Sequence, residues 1–220
     1  MYIIRNDMKN NLTEIIWKKI KMLPVFTADD LVFAGATRGH LNIILSRWSK
    51  SGKIFRLKKG IYGSADFLRE ADKKRILPAF TEYAANAIYP SSYLSLEYVL
   101  YGHNILTDMP KNFTSVSLGK TAVFSNIFGR YIYHKIKKDL FLGFTVENIS
   151  GLAILKASRA KALFDYLYLR KNILADEKAV RALRLDPDGF TAKDRAEFDK
   201  YLRLEGSEKL KKIAFYLWKH

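Results

Sequence analysis

Apolar residues recur at helical spacing in the first quarter of the chain and predict helices there. The clearest pattern follows Thr37, where spacings of i, i+3, i+4 and i+7 predict a helix with one buried face. The apolar positions of this helix are Leu41, Ile44, Leu45 and Trp48. A shorter helix is expected to begin at Thr27, which would cap it, and to end at Gly35, which allows a tight turn.

A segment of alternating polarity follows the helix that Thr37 begins. Residues 53–57 alternate between polar and apolar side chains, and residues 61–63 return after a turn at 58–60, so a two-stranded hairpin is predicted. A helix, a turn, a second helix and a hairpin in this order outline a winged helix-turn-helix. That module places one helix in the major groove of DNA.

The rest of the chain mixes helical and strand-like segments. Strands are predicted at Phe113–Leu118, Val123–Phe128, Arg130–Ile136, Phe141–Glu147 and Leu152–Lys156. Helices are predicted at residues 94–101, 158–171, 192–204 and 208–218. Ser91 or Ser92 is expected to cap the first of these helices. The predicted fold class is α+β, with a winged helix-turn-helix over residues 1–64, a linker over 65–76 and a larger mixed α/β domain over 77–220 with a mostly antiparallel sheet.

The charge of the chain indicates a polyanionic partner. The formal net charge is +16, and residues 1–64 hold 12 Lys and Arg against 4 Asp and Glu. So basic a balance is typical of proteins that bind nucleic acid or an anionic membrane surface. No apolar run approaches the roughly 20 residues that span a bilayer, and the first residues lack the apolar stretch of a signal peptide. We therefore expect a cytoplasmic protein without a membrane partner.

The polar side of the helix after Thr37 is expected to contact DNA. Asn42, Ser46 and Arg47 are expected to read bases, because Asn pairs with adenine and Arg with guanine in the major groove. The residues expected to hold phosphates are Thr37, Arg38, His40, Lys50, Lys53, Arg56, Lys58 and Lys59. A solvated helix face without a partner is the alternative interpretation of the same pattern.

Three segments carry a family resemblance. They are Tyr89–Glu97 followed by Gly102, Ala157–Tyr168, and the hairpin that ends at Tyr62. The residues of the first two segments that carry the resemblance are Tyr89, Pro90, Ser91, Tyr93, Ser95, Glu97, Lys161 and Asp165. In this order the segments resemble AbiEi-type antitoxins over most of the chain. The chain departs from the family at Ala160, where members usually have Glu.

The resemblance implies a type IV toxin–antitoxin system linked to phage defence. Members of this family repress their own operon by binding inverted repeats through a winged helix. They also neutralise a cognate nucleotidyltransferase toxin without forming a stable complex with it, an activity attributed to the C-terminal domain. The implied partners are therefore a double-stranded DNA operator, on which two copies would pair, and a toxin that is a functional partner.

Two other functions remain open from the sequence. An RNA-binding antagonist would act on the toxin's RNA substrate and would stack bases on tyrosines such as Tyr89, Tyr93, Tyr98 and Tyr101. A metal-dependent nuclease would use Glu97, Asp165 and Lys161, although Asp165 is also expected to form a surface ion pair with Lys161, four residues earlier. The chain has no cysteine, no paired histidines at metal-ligand spacing and no phosphate-binding loop. We therefore expect no enzyme, cofactor or metal.

Overall fold

A computed structural model of the chain describes residues 12–219. These residues form an α+β protein, as the sequence predicts, and they divide into two compact units. The first unit contains the described residues through Ile88 together with Ser125–Phe128. The second contains Tyr89–Phe124 and the described residues from Gly129 onward. Residues 65–76, predicted to be a linker, lie inside the first unit and are helical from Ala65 to Lys73.

The first unit contains four α-helices and a three-stranded sheet among its described residues. In chain order its elements are helix α1 (12–20), strand β1 (Phe26–Thr27), a 3-10 helix (Asp29–Ala34), α2 (Arg38–Lys50), β2 (Ile54–Lys58), β3 (Ile61–Ser64), α3 (Ala65–Lys73) and α4 (Leu77–Ile88). The strand order is β1-β3-β2, and both neighbouring pairs are antiparallel. The predicted hairpin is therefore present, and β1 extends it by a short strand that the sequence analysis missed.

The core of the first unit joins α1, α2 and the sheet. Buried apolar side chains from these elements form one cluster, which contains Ile16, Ile20, Phe26, Leu31, Leu41, Ile44, Leu45, Trp48 and Ile54. All four apolar positions that the helical spacing predicted for α2 lie in this cluster. Their burial fixes which side of α2 faces outward.

The short helix predicted after Thr27 is a 3-10 helix that begins at Asp29, and Thr27 itself belongs to β1. The carboxylate of Asp30 accepts hydrogen bonds from the backbone N–H of Thr27 at 2.7 Å and from its hydroxyl at 2.8 Å. Thr27 is therefore the donor in this turn, where a helix cap would be the acceptor. Gly35 then adopts a left-handed conformation, with φ of 69°, and ends the helix after six residues.

The second unit contains one sheet and five α-helices among its described residues. The strands are β4 (Ser92–Leu94), β5 (Phe113–Ser117), β6 (Ala122–Asn126, ending within the first unit), β7 (Gly129–Lys135), β8 (Phe144–Ile149) and β9 (Leu152–Ala157). The helices are α5 (Leu96–Gly102), α6 (Arg159–Arg170), α7 (Glu177–Arg181), α8 (Ala192–Glu205) and α9 (Glu208–Trp218). Five of the six strands match the strand-like runs in the sequence.

The sheet of the second unit is mixed, with antiparallel and parallel pairs of strands, where the sequence predicts a mostly antiparallel sheet. Its strand order is β6-β7-β5-β4-β9-β8. Strand β4 pairs antiparallel with β5 but parallel with β9, and β5 pairs parallel with β7. Strand β4 lies in the middle of the sheet and joins β5 to β9, two strands that are far apart in the chain. The sequence pattern instead predicts a helix that begins at Leu94, the last residue of β4.

Helix α6 lies at the centre of the second unit. Side chains from Ala160 through Leu167 are all buried, and α6 packs against α5 and α8. Ser158 caps α6 by accepting a hydrogen bond from the backbone N–H of Lys161 at 3.0 Å. The predicted caps of the last two helices, Thr191 and Ser207, are confirmed. None of the described helices is both long and apolar enough to cross a bilayer.

Candidate nucleic-acid interface

Helix α2 presents one polar side to solvent. Thr37 caps its N-terminus by accepting the backbone N–H of His40 at 3.3 Å, as predicted. Asn42, Ser46 and Arg47 are exposed, which follows from the burial of the four apolar positions on the other side. This outer side also carries Ile43, whose side chain is 52% exposed. An exposed apolar side chain between polar ones is suited to contact with the methyl group of thymine.

A groove of about 500 Å³ lies between α2 and the β2–β3 hairpin. Asn42, Ser46 and Lys50 line it from the helix, and Arg56 and Lys59 line it from the hairpin. Within the part of the chain that the structure describes, the lining of this groove contains three cations and no carboxylate. The structure therefore brings five of the predicted DNA-contacting residues together around one opening. Arg47 is exposed on α2 beside this lining.

Two further residues of the groove were missed by the sequence analysis. Ser49 lines it from α2, and Tyr62 lines it from β3. Tyr62 lies opposite Arg56 in the register of the hairpin. The cross-strand register could have identified Tyr62, because a residue opposite a groove-lining residue on a two-stranded ribbon shares its face.

Three predicted phosphate-binding cations have other partners. The ammonium of Lys53 lies 4.0 Å from the ring centroid of Trp17 and 4.9 Å from that of Trp48. Lys58 donates a hydrogen bond from Nζ to the carbonyl of Ile88 at 3.2 Å. These two cations therefore stabilise the first unit internally. The third, Arg38, forms an exposed ion pair of 2.8 Å with a carboxylate of the 3-10 helix, at Asp29.

The ring of Phe55 packs closely against Gly63 and stabilises the hairpin. Gly63 on β3 lies opposite Phe55 on β2. A Cβ atom placed on Gly63 would come within 2.3 Å of the Phe55 ring. Phe55 in turn packs edge-on against Phe80 of α4 and Phe128, with ring centroids 6.0 Å and 5.3 Å away. This contact anchors the strand that carries Arg56.

A second cluster joins four of the motif residues in the second unit. The Asp165 carboxylate accepts hydrogen bonds from the hydroxyl of Tyr93 at 3.0 Å, from the hydroxyl of Ser95 at 2.8 Å, and from the ammonium of Lys161. The side chains of Lys161 and Asp165 are 0% exposed, so the expectation of a surface ion pair is wrong. Burial raises the pKa of the Asp165 carboxyl, while its three donors oppose that shift.

The apolar surroundings explain why this pair is buried. Lys161 Nζ lies 4.8 Å from the ring centroid of Phe164 and 5.4 Å from that of Tyr201. The sequence of α6 does indicate that Lys161 and Asp165 are buried, because apolar residues lie on every side of the pair. Ala160 is also fully buried, so the Glu usual at this position in the resembled family would place a further charge inside the unit.

The remaining motif residues lie apart from this network. Tyr89 donates from its hydroxyl to the carbonyl of Lys120 at 2.9 Å, and Pro90 and Ser91 are exposed in the turn before β4. Glu97 pairs with Arg170, a residue that the sequence analysis did not single out. Residues 12–219 contain no group of three or more His, Asp or Glu placed to hold a metal ion.

Comparison with models of known protein families gives no match for this chain, and comparison with curated proteins gives no significant match. The resemblance to AbiEi-type antitoxins therefore stays a prediction that rests on its three sequence segments.

Proposed function

We propose that the N-terminal part of the chain is a winged helix-turn-helix that binds double-stranded DNA, and that the protein is a transcriptional repressor. The observation that carries this proposal is the groove between α2 and the hairpin. Lys50, Arg56 and Lys59 line this groove without a carboxylate among its described lining residues. Uncompensated cations beside an exposed polar helix side are suited to a polyanion.

The proposed binding mode assigns different roles to the two walls of the groove. The major groove of B-DNA is about 12 Å wide and admits one α-helix. Helix α2 enters it, and Asn42, Ser46 and Arg47 contact base edges. Lys50, Arg56 and Lys59, which line the groove of the protein, contact the DNA backbone beside the helix. The deep and narrow major groove of duplex RNA does not admit such a helix, so DNA is favoured over duplex RNA.

Two copies bind an inverted repeat upstream of the gene in the proposed regulation. A single helix and hairpin contact one half-site, and a second copy on the other half-site doubles the number of base contacts. Repression follows because the bound copies block the polymerase in the cytoplasm. This part of the proposal is supported by the family resemblance alone.

The proposed second role is that of an antitoxin against a nucleotidyltransferase. It is supported by the resemblance and by the way in which the two C-terminal segments meet, because Tyr93 and Ser95 from one segment bond to Asp165 from the other. Their role is to hold the unit together. The test is co-expression of the full chain with a nucleotidyltransferase encoded next to it. Restored growth is expected, and unrelieved toxicity would refute this role.

The DNA-binding role is tested by fluorescence anisotropy with the full chain. The probes are the duplex directly upstream of the gene and a shuffled duplex of the same composition. We expect Arg47→Ala to weaken binding to the upstream duplex by about 1–3 kcal/mol and to leave the shuffled duplex nearly unchanged. Lys193→Ala, which removes an exposed cation from α8, is the matched control. An equal loss of binding affinity for both duplexes would contradict the proposal that Arg47 recognises bases.

A further inference from the structure

A cavity of about 570 Å³ in the second unit contains charged and polar groups that the proposed DNA-binding role does not use. Glu97, Tyr166 and Arg170 line it from α5 and α6, and His134 lines it from β7. Lys111 and Asp108 line it from the loop before β5. The volume lies within the roughly 300–1,000 Å³ that is usual for small-molecule sites.

Arg170 is held in a fixed orientation in this cavity. Its guanidinium carbon lies 3.7 Å from the ring centroid of Tyr166, and one of its nitrogens donates to Glu97 Oε1. The Arg170 side chain is nevertheless 26% exposed. A guanidinium that rests on an aromatic ring and remains partly open can stack a nucleobase on its other face.

Glu97 has unused hydrogen-bonding capacity. Its Oε2 atom is buried and has no hydrogen-bond partner among the described residues. The Glu97 side chain is 28% exposed and lines the cavity, so rotation of the carboxylate brings this acceptor to an N–H group of a ligand. A buried carboxylate oxygen without a donor is unfavourable, and a ligand that supplies the donor relieves this cost.

The polar groups of the cavity match the two ends of a nucleotide. Burial lowers the pKa of His134, so its imidazole is neutral near pH 7 and offers one donor and one acceptor. Glu97, Arg170 and His134 together provide the mixture of donors and acceptors that a base edge requires. Lys111 is exposed and can hold a phosphate, while Asp108 opposes it. The residues of the second unit carry a formal net charge of +8, which favours an anionic ligand.

We propose that this cavity binds a nucleotide, with the base stacked on the open face of Arg170, its edge at Glu97 and the phosphate at Lys111. The nucleotide comes either from the free pool or from the end of a single strand, since both present the same groups. A cationic ligand would satisfy Glu97 equally well, but it would meet Arg170 and Lys111 unfavourably. The site is independent of the proposed winged helix.

Isothermal titration calorimetry with the full chain tests this site. The probes are GMP, AMP, CMP, UMP, inorganic phosphate and argininamide. We expect at least one nucleotide to bind once per chain with a Kd below about 1 mM, and phosphate to bind at least tenfold more weakly. Absence of nucleotide binding, phosphate binding as tight as that of the nucleotides, or preferred binding of argininamide would overturn the proposal.

Three variants identify the site. Glu97→Gln is expected to weaken nucleotide binding about tenfold, the loss expected for one charged hydrogen bond. Lys111→Ala is expected to weaken it severalfold without affecting the fold, because this side chain is exposed. Lys193→Ala is the charge-matched control and should bind as the unmodified chain does. If Glu97→Gln does not fold, Lys111→Ala decides, and unchanged binding by this variant would refute the assignment.

Two further experiments identify the source of the nucleotide and distinguish this site from the proposed DNA-binding site. Competition of a single-stranded hexanucleotide with the bound mononucleotide identifies a strand end as the ligand, and lack of competition identifies the free nucleotide. Arg47→Ala is expected to keep nucleotide binding unchanged whatever its effect on duplex DNA. Loss of nucleotide binding in this variant would contradict a separate site in the second unit.

Discussion

The cations of the groove in the first unit and Lys161 of the second unit lie in opposite environments. In the first unit, Lys50, Arg56 and Lys59 surround a groove whose described lining contains no carboxylate. In the second unit, Lys161 is fully buried and bonds to the equally buried Asp165. An exposed cation needs no partner because water solvates it, whereas a buried cation without a partner is strongly destabilising. The exposed cations are therefore available to a binding partner, and the buried pair serves the fold.

This difference separates the roles of the sequence motifs. Tyr93, Ser95, Lys161 and Asp165 are four of the eight residues that carry the family resemblance, and all four are buried. Substituting them should affect stability before it affects any contact with a partner. The residues of α2 and the hairpin should behave in the reverse way.

The largest effect is expected from removing the buried carboxylate. Asp165→Ala leaves Lys161 charged and unpaired and removes the acceptor of Tyr93 and Ser95. We expect the free energy of unfolding to fall by about 3–5 kcal/mol, measured by urea denaturation. Asp199→Ala, which removes a half-exposed carboxylate from α8, should change it by less than about 0.5 kcal/mol. Equal effects in the two variants would contradict the buried-pair interpretation.

The next effect concerns the packing that supports the hairpin. Gly63→Ala places a methyl group on the Phe55 ring and should lower the free energy of unfolding by about 1–3 kcal/mol. Phe55→Leu in the same chain should recover part of this loss, because the side chain is smaller and more adaptable. Gly39→Ala is the matched control, since a Cβ there meets no atom within 4 Å. Gly39 lies in the first turn of α2, so that change should stabilise by no more than about 0.5–1 kcal/mol, the value for the middle of a helix.

A smaller effect distinguishes two adjacent lysines. Lys59 lines the groove, whereas the ammonium of Lys58 donates to the Ile88 carbonyl. Lys59→Ala should therefore reduce the slope of log binding constant against log salt by about 0.9, the value for one phosphate contact. Lys58→Ala should leave this slope unchanged. The measurement is a salt titration of binding to duplex DNA. A larger change of slope for Lys58→Ala than for Lys59→Ala would contradict the assignment of the phosphate contact to Lys59.

The smallest effect is a dependence of stability on pH. Burial lowers the pKa of both His103 and His134 from the usual 6.5. The unfolded chain therefore binds more protons than the folded chain near this pH, so the free energy of unfolding falls as the pH drops below about 6.5. Urea denaturation between pH 7 and pH 5 measures this fall, and His134→Asn should reduce it. Stability that rises on acidification would contradict the lowered pKa of these two side chains.

Local features of the fold could be predicted from the sequence because they depend on nearby residues. The buried face of α2 follows from four apolar positions at helical spacing, and Thr191 and Ser207 cap the helices that they were expected to cap. Strands on both sides of the sheet also match runs of β-branched and aromatic residues. In each case, neighbours within one or two turns determine the outcome.

Features that depend on distant residues could not be predicted. Strand β4 is held between β5 and β9, and this pairing overrides the helical pattern that begins at Leu94. Lys53 and Lys58 have the same charge as Lys59. However, Lys53 lies against the ring of Trp17 and Lys58 donates a hydrogen bond to the last residue of α4, so neither lines the groove. Composition identifies the cations but does not specify which of them share a groove.

The central claim is that the outer side of α2 lies against DNA, and photocrosslinking tests it most directly. A benzophenone amino acid replaces Ile43 on α2, where the side chain is 52% exposed, or Val146 on β8, where it is 62% exposed. Each full-length variant is irradiated with the upstream duplex at moderate salt. The account predicts efficient crosslinking to bases from position 43 and little from position 146. Crosslinking from position 146 alone, or from neither position, would contradict it.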